Sequence, residues 1–142
     1  MGDPWWKKVK SYVKGDSKMN PLILTVSQDP VMEESLSEAL DDSLDLVFSD
    51  GQHSLDSISQ HGKPNLIIGD ARLIADSPFG RELKKSDWSS IPLLVVSPDA
   101  KALSEKELQG LGASDQIRNP YNTDEIKEKI HKFLLIVYYA IL

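Results

Sequence analysis

Short apolar runs that alternate with stretches of helical spacing constrain the fold of this chain more than any other sequence feature. Strands are predicted at residues 22–26, 44–48, 66–68, 91–96 and 115–118. The short, β-branched apolar run at 22–26 is typical of a strand that is covered on both faces. Strands alternating with helices therefore predict an α/β sandwich built on a five-stranded parallel sheet.

The predicted helices begin at residues that favour helix capping. Asp29 is placed to cap the first helix, with Pro30 at its first position and Val31 on its apolar face. Residues 71–79 are expected to form a loop, followed by a short helix at about 80–85. Capping boxes are predicted at two later helix starts, formed by Ser104 with Glu107 and by Asn122 with Glu125.

Charge and residue usage narrow the classes of function for a chain of 142 residues, which corresponds to about one domain. The 22 acidic and 16 basic residues give a net charge of −6, so nucleic acid is not expected as a partner. The chain has no cysteine, which excludes disulfides and thiolate nucleophiles and suits a cytoplasmic protein. Its 3 histidines show no metal-ligand spacing, and no metal site is expected.

Residues 1–19 form a segment that differs in character from the rest of the chain. They contain 5 lysines and 2 aspartates, and Trp5, Val9 and Tyr12 recur at helical spacing. This pattern predicts a basic amphipathic helix. We expect it to pack on its own domain or on a second copy, and docking on a membrane surface or on a partner protein is the alternative.

Residues 135–142 form an apolar extension of the last helix, whose buried stripe is predicted to consist of Ile126, Ile130 and Leu134. No polar residue interrupts the run from 133 to 142, which is too short to span a bilayer, since spanning takes ~20 helical residues. A run that is apolar on all sides must be covered. We expect it to pack against the N-terminal segment or in a homodimer, unless the chain is a piece of a longer protein. Residues 20–134 then form the domain itself.

Polar side chains follow the ends of most of the predicted strands. Ser27, Gln28 and Asp29 follow the first strand, Asp70 the third and Ser97 the fourth, and Asn119 comes just after the fifth. In open α/β sheets, ligands bind outside the carboxyl ends of the strands, where the strand order switches. These residues are therefore the candidate site. On its own, Asp70 is as well explained as a cap on nearby backbone amides.

Three segments resemble the receiver domains of bacterial response regulators. Residues 63–70, Lys-Pro-Asn-Leu-Ile-Ile-Gly-Asp, resemble the phosphoacceptor segment, and residues 91–97 resemble the fourth strand with its hydroxyl residue. Residues 112–121 resemble the segment around the Lys-Pro dipeptide of that family. The likeness runs in the correct order from about residue 21 to 134, and it implies a flavodoxin-like, doubly wound (βα)5 fold.

The resemblance implies a phosphoacceptor role for Asp70 and a contact of Ser97 with the phosphoryl group. Receivers carry an acidic pair that helps to hold Mg²⁺, and here that pair falls on Ser27 and Gln28. Asp29, one residue further on, is better explained as a helix cap than as a metal ligand. Because Mg²⁺ is usually held by carboxylates and phosphate, the residues present here predict poor binding of the ion.

Two further positions depart from the receiver pattern. Asn119 stands where receivers have the lysine that contacts phosphoryl oxygens, and Gln116 stands where they have the aromatic switch residue. Deleting a single donor that stabilises a developing oxyanion costs about 3–4 kcal/mol, and loss of the lysine is expected to act in the same direction. Efficient phosphotransfer is therefore not expected.

These departures predict a degenerate receiver, a signalling module that binds a protein partner independently of phosphorylation, without enzyme activity or a cofactor. The alternative is a phosphorylatable receiver that accepts a phosphoryl group on Asp70 from a histidine kinase, with weak Mg²⁺ binding there. A small enzyme or cofactor binder is a third possibility, disfavoured because residues 27–30 contain no glycine for a phosphate loop. The partner face is expected within residues 104–142, at Leu108, Gln116, Tyr121, Ile126 and Tyr138.

Overall fold

The structure is a computed structural model that describes residues 21–39, 44–53, 55–58, 62–97, 102–118 and 122–141, with the backbone alone for 56–57 and 135–141. The strands are β1 (Leu22–Val26), β2 (Asp45–Ser49), β3 (Leu66–Asp70), β4 (Leu93–Val96) and β5 (Asp115–Ile117). The described α-helices are α1 (Pro30–Ala39), α2 (Leu55–Ile58), α3 (Ala71–Ala75), α4 (Pro78–Leu83), α5 (Glu105–Leu111) and α6 (Thr123–Ile141). A 3₁₀ helix covers Asp87–Ser90.

All five strands pair in parallel, in the order β2-β1-β3-β4-β5. Thr25 of β1 lies between Phe48 of β2 and Ile68 of β3, and Gly69 of β3 lies opposite Val95 of β4. The strand order reverses between β1 and β3, which makes the sheet doubly wound. The predicted fold class, an α/β sandwich on a five-stranded parallel sheet, is confirmed. The predicted N-terminal segment lies outside the described residues.

The two faces of the sheet carry separate hydrophobic cores. On one face, Ile23 and Ile68 belong to a buried cluster with residues of α1 and α6, such as Leu36 and Ile130. On the other face, Leu24, Ile67 and Val95 belong to a cluster with residues of α3 and α4. Successive strand residues point to opposite faces, so a strand without polar alternation is buried on both sides.

Helix starts carry the predicted caps at Asp29 and Ser104, whereas of the box predicted for Asn122 and Glu125 the described contacts include only the Asn122 half. The amide of Val31 donates to Oδ1 of Asp29 at 3.0 Å, and Oδ1 of Asn122 accepts from the amides two and three residues further on. Ser104 and Glu107 form a complete capping box, because each side chain accepts from the other residue's amide, at 3.1 and 3.2 Å. Local side-chain chemistry therefore determines where these helices begin.

Two local predictions are wrong. Val31 does not lie on the apolar face of α1 but is 59% exposed, because Met32, Leu36 and Ala39 are the residues that face the core. Residues 71–79 do not form a loop, because they contain α3 and the first residues of α4. The helix α3 is capped by Asp70, in the capping role that the sequence offered for it, and α4 is capped by Ser77, which accepts from the amide of Gly80 at 2.9 Å and was not predicted as a cap.

Candidate functional site

The candidate site lies at the edge of the sheet where the strands end. Ser27 directly follows β1, Asp70 is the last residue of β3, and Ser97 directly follows β4. Because β1 and β3 flank the reversal of strand order, Ser27 and Asp70 lie on either side of the position where doubly wound sheets bind ligands. Asn119, predicted for the same site, lies outside the described residues.

Both residues that replace the acidic pair are engaged in hydrogen bonds of the neighbouring loops. Oγ of Ser27, which is 2% exposed, accepts from the amide of Asp29 at 2.9 Å. Nε2 of Gln28 donates to the carbonyl oxygen of Asp50 at 3.0 Å and so links the loop after β1 to the loop after β2. These bonds give Ser27 and Gln28 a structural role as a turn residue and a loop bridge.

Asp70 caps the helix that follows it. Its Oδ1 accepts from the amide of Arg72 at 2.8 Å and lies 3.6 Å from Nε of the same arginine. The Asp70 side chain is 17% exposed and that of Arg72 is 73% exposed, so solvent screens the pair strongly. The predicted phosphoacceptor position therefore holds a carboxylate whose visible bonds serve the start of α3.

Ser97 is turned towards the neighbouring strand. Its amide and its hydroxyl both donate to the carbonyl oxygen of Ile117, at 3.0 and 3.3 Å. The residue is 1% exposed, so the bond helps to satisfy a polar group inside the protein. Ser97 therefore joins the carboxyl ends of β4 and β5.

The donor set at this edge does not fit a Mg²⁺ ion. Within the described residues, no group of three or more His, Asp or Glu side chains is arranged so that it could hold a metal. Ser27 and Gln28 contribute neutral groups that already bond to backbone, and Oδ1 of Asp70 is used as a cap. Hard divalent cations favour several carboxylate oxygens, which this edge does not bring together.

Gln116 makes a pair of hydrogen bonds that the sequence did not suggest. Its Oε1 accepts from the amide of Leu103 at 2.7 Å, and its Nε2 donates to the carbonyl oxygen of Leu103 at 2.9 Å. The side chain thus binds one residue of backbone at both ends, directly before the cap of α5. Gln116 is half-buried and lies on β5, the last strand of the sheet.

The other residues predicted for the partner face differ in how deeply they are buried and in whether the structure describes them. Leu108 is half-buried on α5, where it packs on the core cluster of that face of the sheet. Ile126 is 1% exposed in the core between α6 and the sheet, so its assignment to a partner surface is wrong. Tyr121 and the side chain of Tyr138 lie outside what the structure describes.

Lys129 is a candidate residue that the sequence reasoning missed. Its Nζ lies 3.4 Å from both Oδ1 of Asp115 and Oε1 of Glu125, and it donates to the carbonyl oxygen of Gln116. The spacing of four residues between Glu125 and Lys129 was a readable signal for one of these pairs. The contacts with β5 depend on tertiary packing and had no local signal.

Solved structures with the same arrangement of elements come from bacterial signalling proteins. A response regulator receiver protein from Pseudomonas putida matches with a TM-score of 0.62 and 25% sequence identity, over 80% of this chain and 97% of that chain. A response regulator from Desulfuromonas acetoxidans matches at 24% identity with a TM-score of 0.61, over 82% and 97% of the two chains. A chemotaxis response regulator from Vibrio cholerae matches at 15% identity with a TM-score of 0.62, over 80% and 98%.

The chain has the fold of a response regulator receiver domain. The receiver resemblance of residues 63–70, 91–97 and 112–121 is thereby confirmed at the level of the fold. No protein-family model matches the sequence, and no curated protein matches it at a significant level. In the described part of this receiver fold, no helix is both long and apolar enough to cross a membrane.

Proposed function

We propose that this chain is a degenerate receiver: a cytoplasmic signalling domain, not an enzyme, that binds a protein partner without depending on an aspartyl phosphate. The receiver fold supports the signalling role, and a sequence without cysteine suits the cytoplasm. Phosphorylation independence is supported by the residues of the candidate site.

The observation that carries this proposal is the state of the two positions after β1. Ser27 and Gln28 are neutral, and both bond to backbone of the loops around them. A metal ion at this edge would lack the two negative charges that an acidic pair supplies. It would also have to displace the hydrogen bonds that Ser27 and Gln28 already form. Without the ion, negative charge on a phosphoryl group at Asp70 would have little to offset it beyond the exposed Arg72.

Asp70 and Ser97 keep the alternative function testable. Both lie at the ends of neighbouring strands, as a phosphoacceptor and a phosphoryl-binding hydroxyl require. Beryllofluoride with Mg²⁺ mimics the phosphoryl group, so the amide NMR signals near these two residues report its binding. We expect no shift up to millimolar ligand, whereas saturable shifts at both residues would establish the phosphorylatable receiver.

A variant that restores one carboxylate and the lysine controls this titration. Gln28 is exposed, so a carboxylate is tolerated there at the cost of the bond to the carbonyl oxygen of Asp50, and Asn119 is the position of the receiver lysine by resemblance. Gln28→Asp combined with Asn119→Lys should bind beryllofluoride more tightly than the parent chain. Shifts in this variant, with none in the parent, would assign the lost binding to the changed residues.

We also propose that the chain forms a homodimer through the C-terminal part of α6. The helix runs without interruption to Ile141, beyond Phe133 and Leu134, the last described side chains that are buried in the core. The residues that follow Leu134 are apolar on every side, and burying such a surface stabilises association.

Sedimentation velocity tests the dimer. Ile136→Glu places a charge in the apolar extension and should convert the dimer to a monomer, while His131→Glu changes an exposed position on the same helix and should not. A parent chain that sediments as a monomer would contradict the dimer.

Recovery of the parent chain with anionic liposomes would favour the membrane-surface alternative for the basic N-terminal segment.

A further inference from the structure

The side chain of Gln116 links β5 to the start of α5, and this pair of hydrogen bonds between Gln116 and Leu103 is called the joint below. Its side-chain amide forms the two hydrogen bonds to Leu103 at 2.7 and 2.9 Å, and Leu103 directly precedes Ser104, the N-cap of α5. The two residues are 13 positions apart, so the bonds join separate elements. A primary amide can donate and accept at once, which lets it bind both polar groups of one backbone residue.

Few other contacts hold α5 to the domain. None of its residues is buried, and it packs on the core through the half-buried side chains of Leu108 and Leu111. Leu103, just before the helix, packs on the same cluster. With so little apolar anchoring, the position of α5 depends strongly on the polar bonds at its start.

The backbone of Gln116 is bonded on the side that faces away from β4. Its amide donates to Oδ1 of Asp115 at 2.8 Å, and its carbonyl oxygen accepts from Nζ of Lys129 on α6. The ammonium group also lies 3.4 Å from Asp115 and from Glu125. Since β5 is the last strand of the sheet, these side chains occupy backbone groups that an added strand would need.

We propose that Gln116 is a positioning residue whose side chain fixes the start of α5 against β5, and so fixes the shape of the proposed partner face. This inference rests on the proposed function, because it describes how the partner face is built. The aromatic residue that receivers carry at this position has no amide with which to bind Leu103 at both polar groups.

Amide hydrogen exchange at Leu103 tests the joint directly. In Gln116→Ala, loss of both bonds should lower the protection of the Leu103 amide by about tenfold or more and should also loosen α5. Gln109→Ala is the matched control, because Gln109 is an exposed glutamine on α5 whose side chain forms no hydrogen bond with the described residues. Unchanged protection of the Leu103 amide in Gln116→Ala would overturn the inference.

A second variant separates the specific bonds from a general loss of packing. Gln116→Met has a similar length, but its thioether cannot donate to the carbonyl oxygen of Leu103 and accepts only weakly from the Leu103 amide. Protection of the Leu103 amide should therefore fall in Gln116→Met as it does in Gln116→Ala. Protection that stays at the level of the parent chain in Gln116→Met would show that packing holds the start of α5, and would contradict the proposed role of Gln116.

The outcomes of these measurements are independent of the beryllofluoride titration. Exchange at Leu103 reports the bonds of Gln116, and the titration reports the phosphoryl site at Asp70. Loss of protection in Gln116→Ala together with saturable beryllofluoride binding would support the role of Gln116 and contradict phosphorylation independence. Unchanged protection with no beryllofluoride binding would support the proposed function and contradict the role of Gln116.

Discussion

The side chain of Ile74 lies directly over Gly69, so that a Cβ on Gly69 would be 2.6 Å from Cδ1 and 2.7 Å from Cγ1 of Ile74. Both residues are buried, and Ile74 is 0% exposed, so a Cβ on Gly69 would force the isoleucine to shift within the core. Gly69 therefore allows α3 to fold back onto the sheet immediately after Asp70. The glycine next to the candidate phosphoacceptor has a packing role.

Gly69→Ala should lower the free energy of unfolding by about 1–3 kcal/mol, because the added methyl group overpacks a closed core. Gly110→Ala is the matched control: nothing lies within 4 Å of its added Cβ on an exposed helix, and alanine is the better helix former. The control should raise the free energy of unfolding by up to about 1 kcal/mol. Urea denaturation of both variants measures the difference, and equal effects would contradict the close packing.

Thr25→Val should raise the free energy of unfolding by about 1 kcal/mol. Thr25 is 0% exposed, and within the described structure its Oγ1 has no hydrogen-bond partner. Valine keeps the shape and removes the unsatisfied hydroxyl. Ser27→Ala is the contrasting variant, since it removes the 2.9 Å bond to the amide of Asp29 and should destabilise the chain. A thermal melt in which Thr25→Val is less stable than the parent chain would contradict the prediction.

Asp70→Ala should lower the free energy of unfolding by about 0.5–2 kcal/mol, since α3 loses the cap on the Arg72 amide. Asp70→Asn should be nearly neutral, because asparagine caps helices about as well as aspartate. Chemical denaturation measures both. A large loss of stability in Asp70→Asn would mean that the negative charge matters to the fold, beyond the capping bond.

Ser104→Ala should make α5 fray, because the capping box is lost and the helix has no buried residue to hold it. The expected loss is about 0.5–2 kcal/mol of local stability, seen as faster amide exchange of residues 105–108. Ser89→Ala, at an exposed position of the 3₁₀ helix, is the control and should leave exchange in α5 unchanged. Uniform faster exchange throughout the domain would instead indicate global destabilisation.

The strands and several helix starts were predictable because their signals are local. A mostly apolar run such as residues 22–26 can be buried on both faces if it is a strand in a sheet that is covered by helices. The structure contains this run as β1. The cap at Asp29 and the box at Ser104 with Glu107 involve residues two or three positions apart. Such short-range bonds involve no contact with distant parts of the chain, so their residues can be recognised in the sequence.

The errors in local structure arose where several local arrangements fit the sequence and tertiary packing determines which of them forms. Residues 31 and 32 are both apolar, and the face of α1 that meets the core begins at Met32, not at Val31. The helices within 71–83 are short, and short helices have weak periodicity. Ile126 was assigned both to the buried stripe and to the partner face, and its burial supports the former.

The bonds of the candidate site depended on residues distant in sequence. Gln28 reaches the backbone of Asp50, 22 residues away, and Gln116 reaches that of Leu103, 13 residues away. Neither contact has a motif, because each exists only after the loops are brought together by the sheet. The sequence therefore placed Ser27, Asp70 and Ser97 at the ends of strands but did not indicate the long-range bonds of Gln28 and Gln116.

The length of α6 gives the domain a lever. Beyond Leu134 the helix continues for seven residues to Ile141, which at 1.5 Å per residue is about 10 Å. A tilt of the buried part of the helix around Ile130 would therefore displace the far end by more than it displaces the residues in the core.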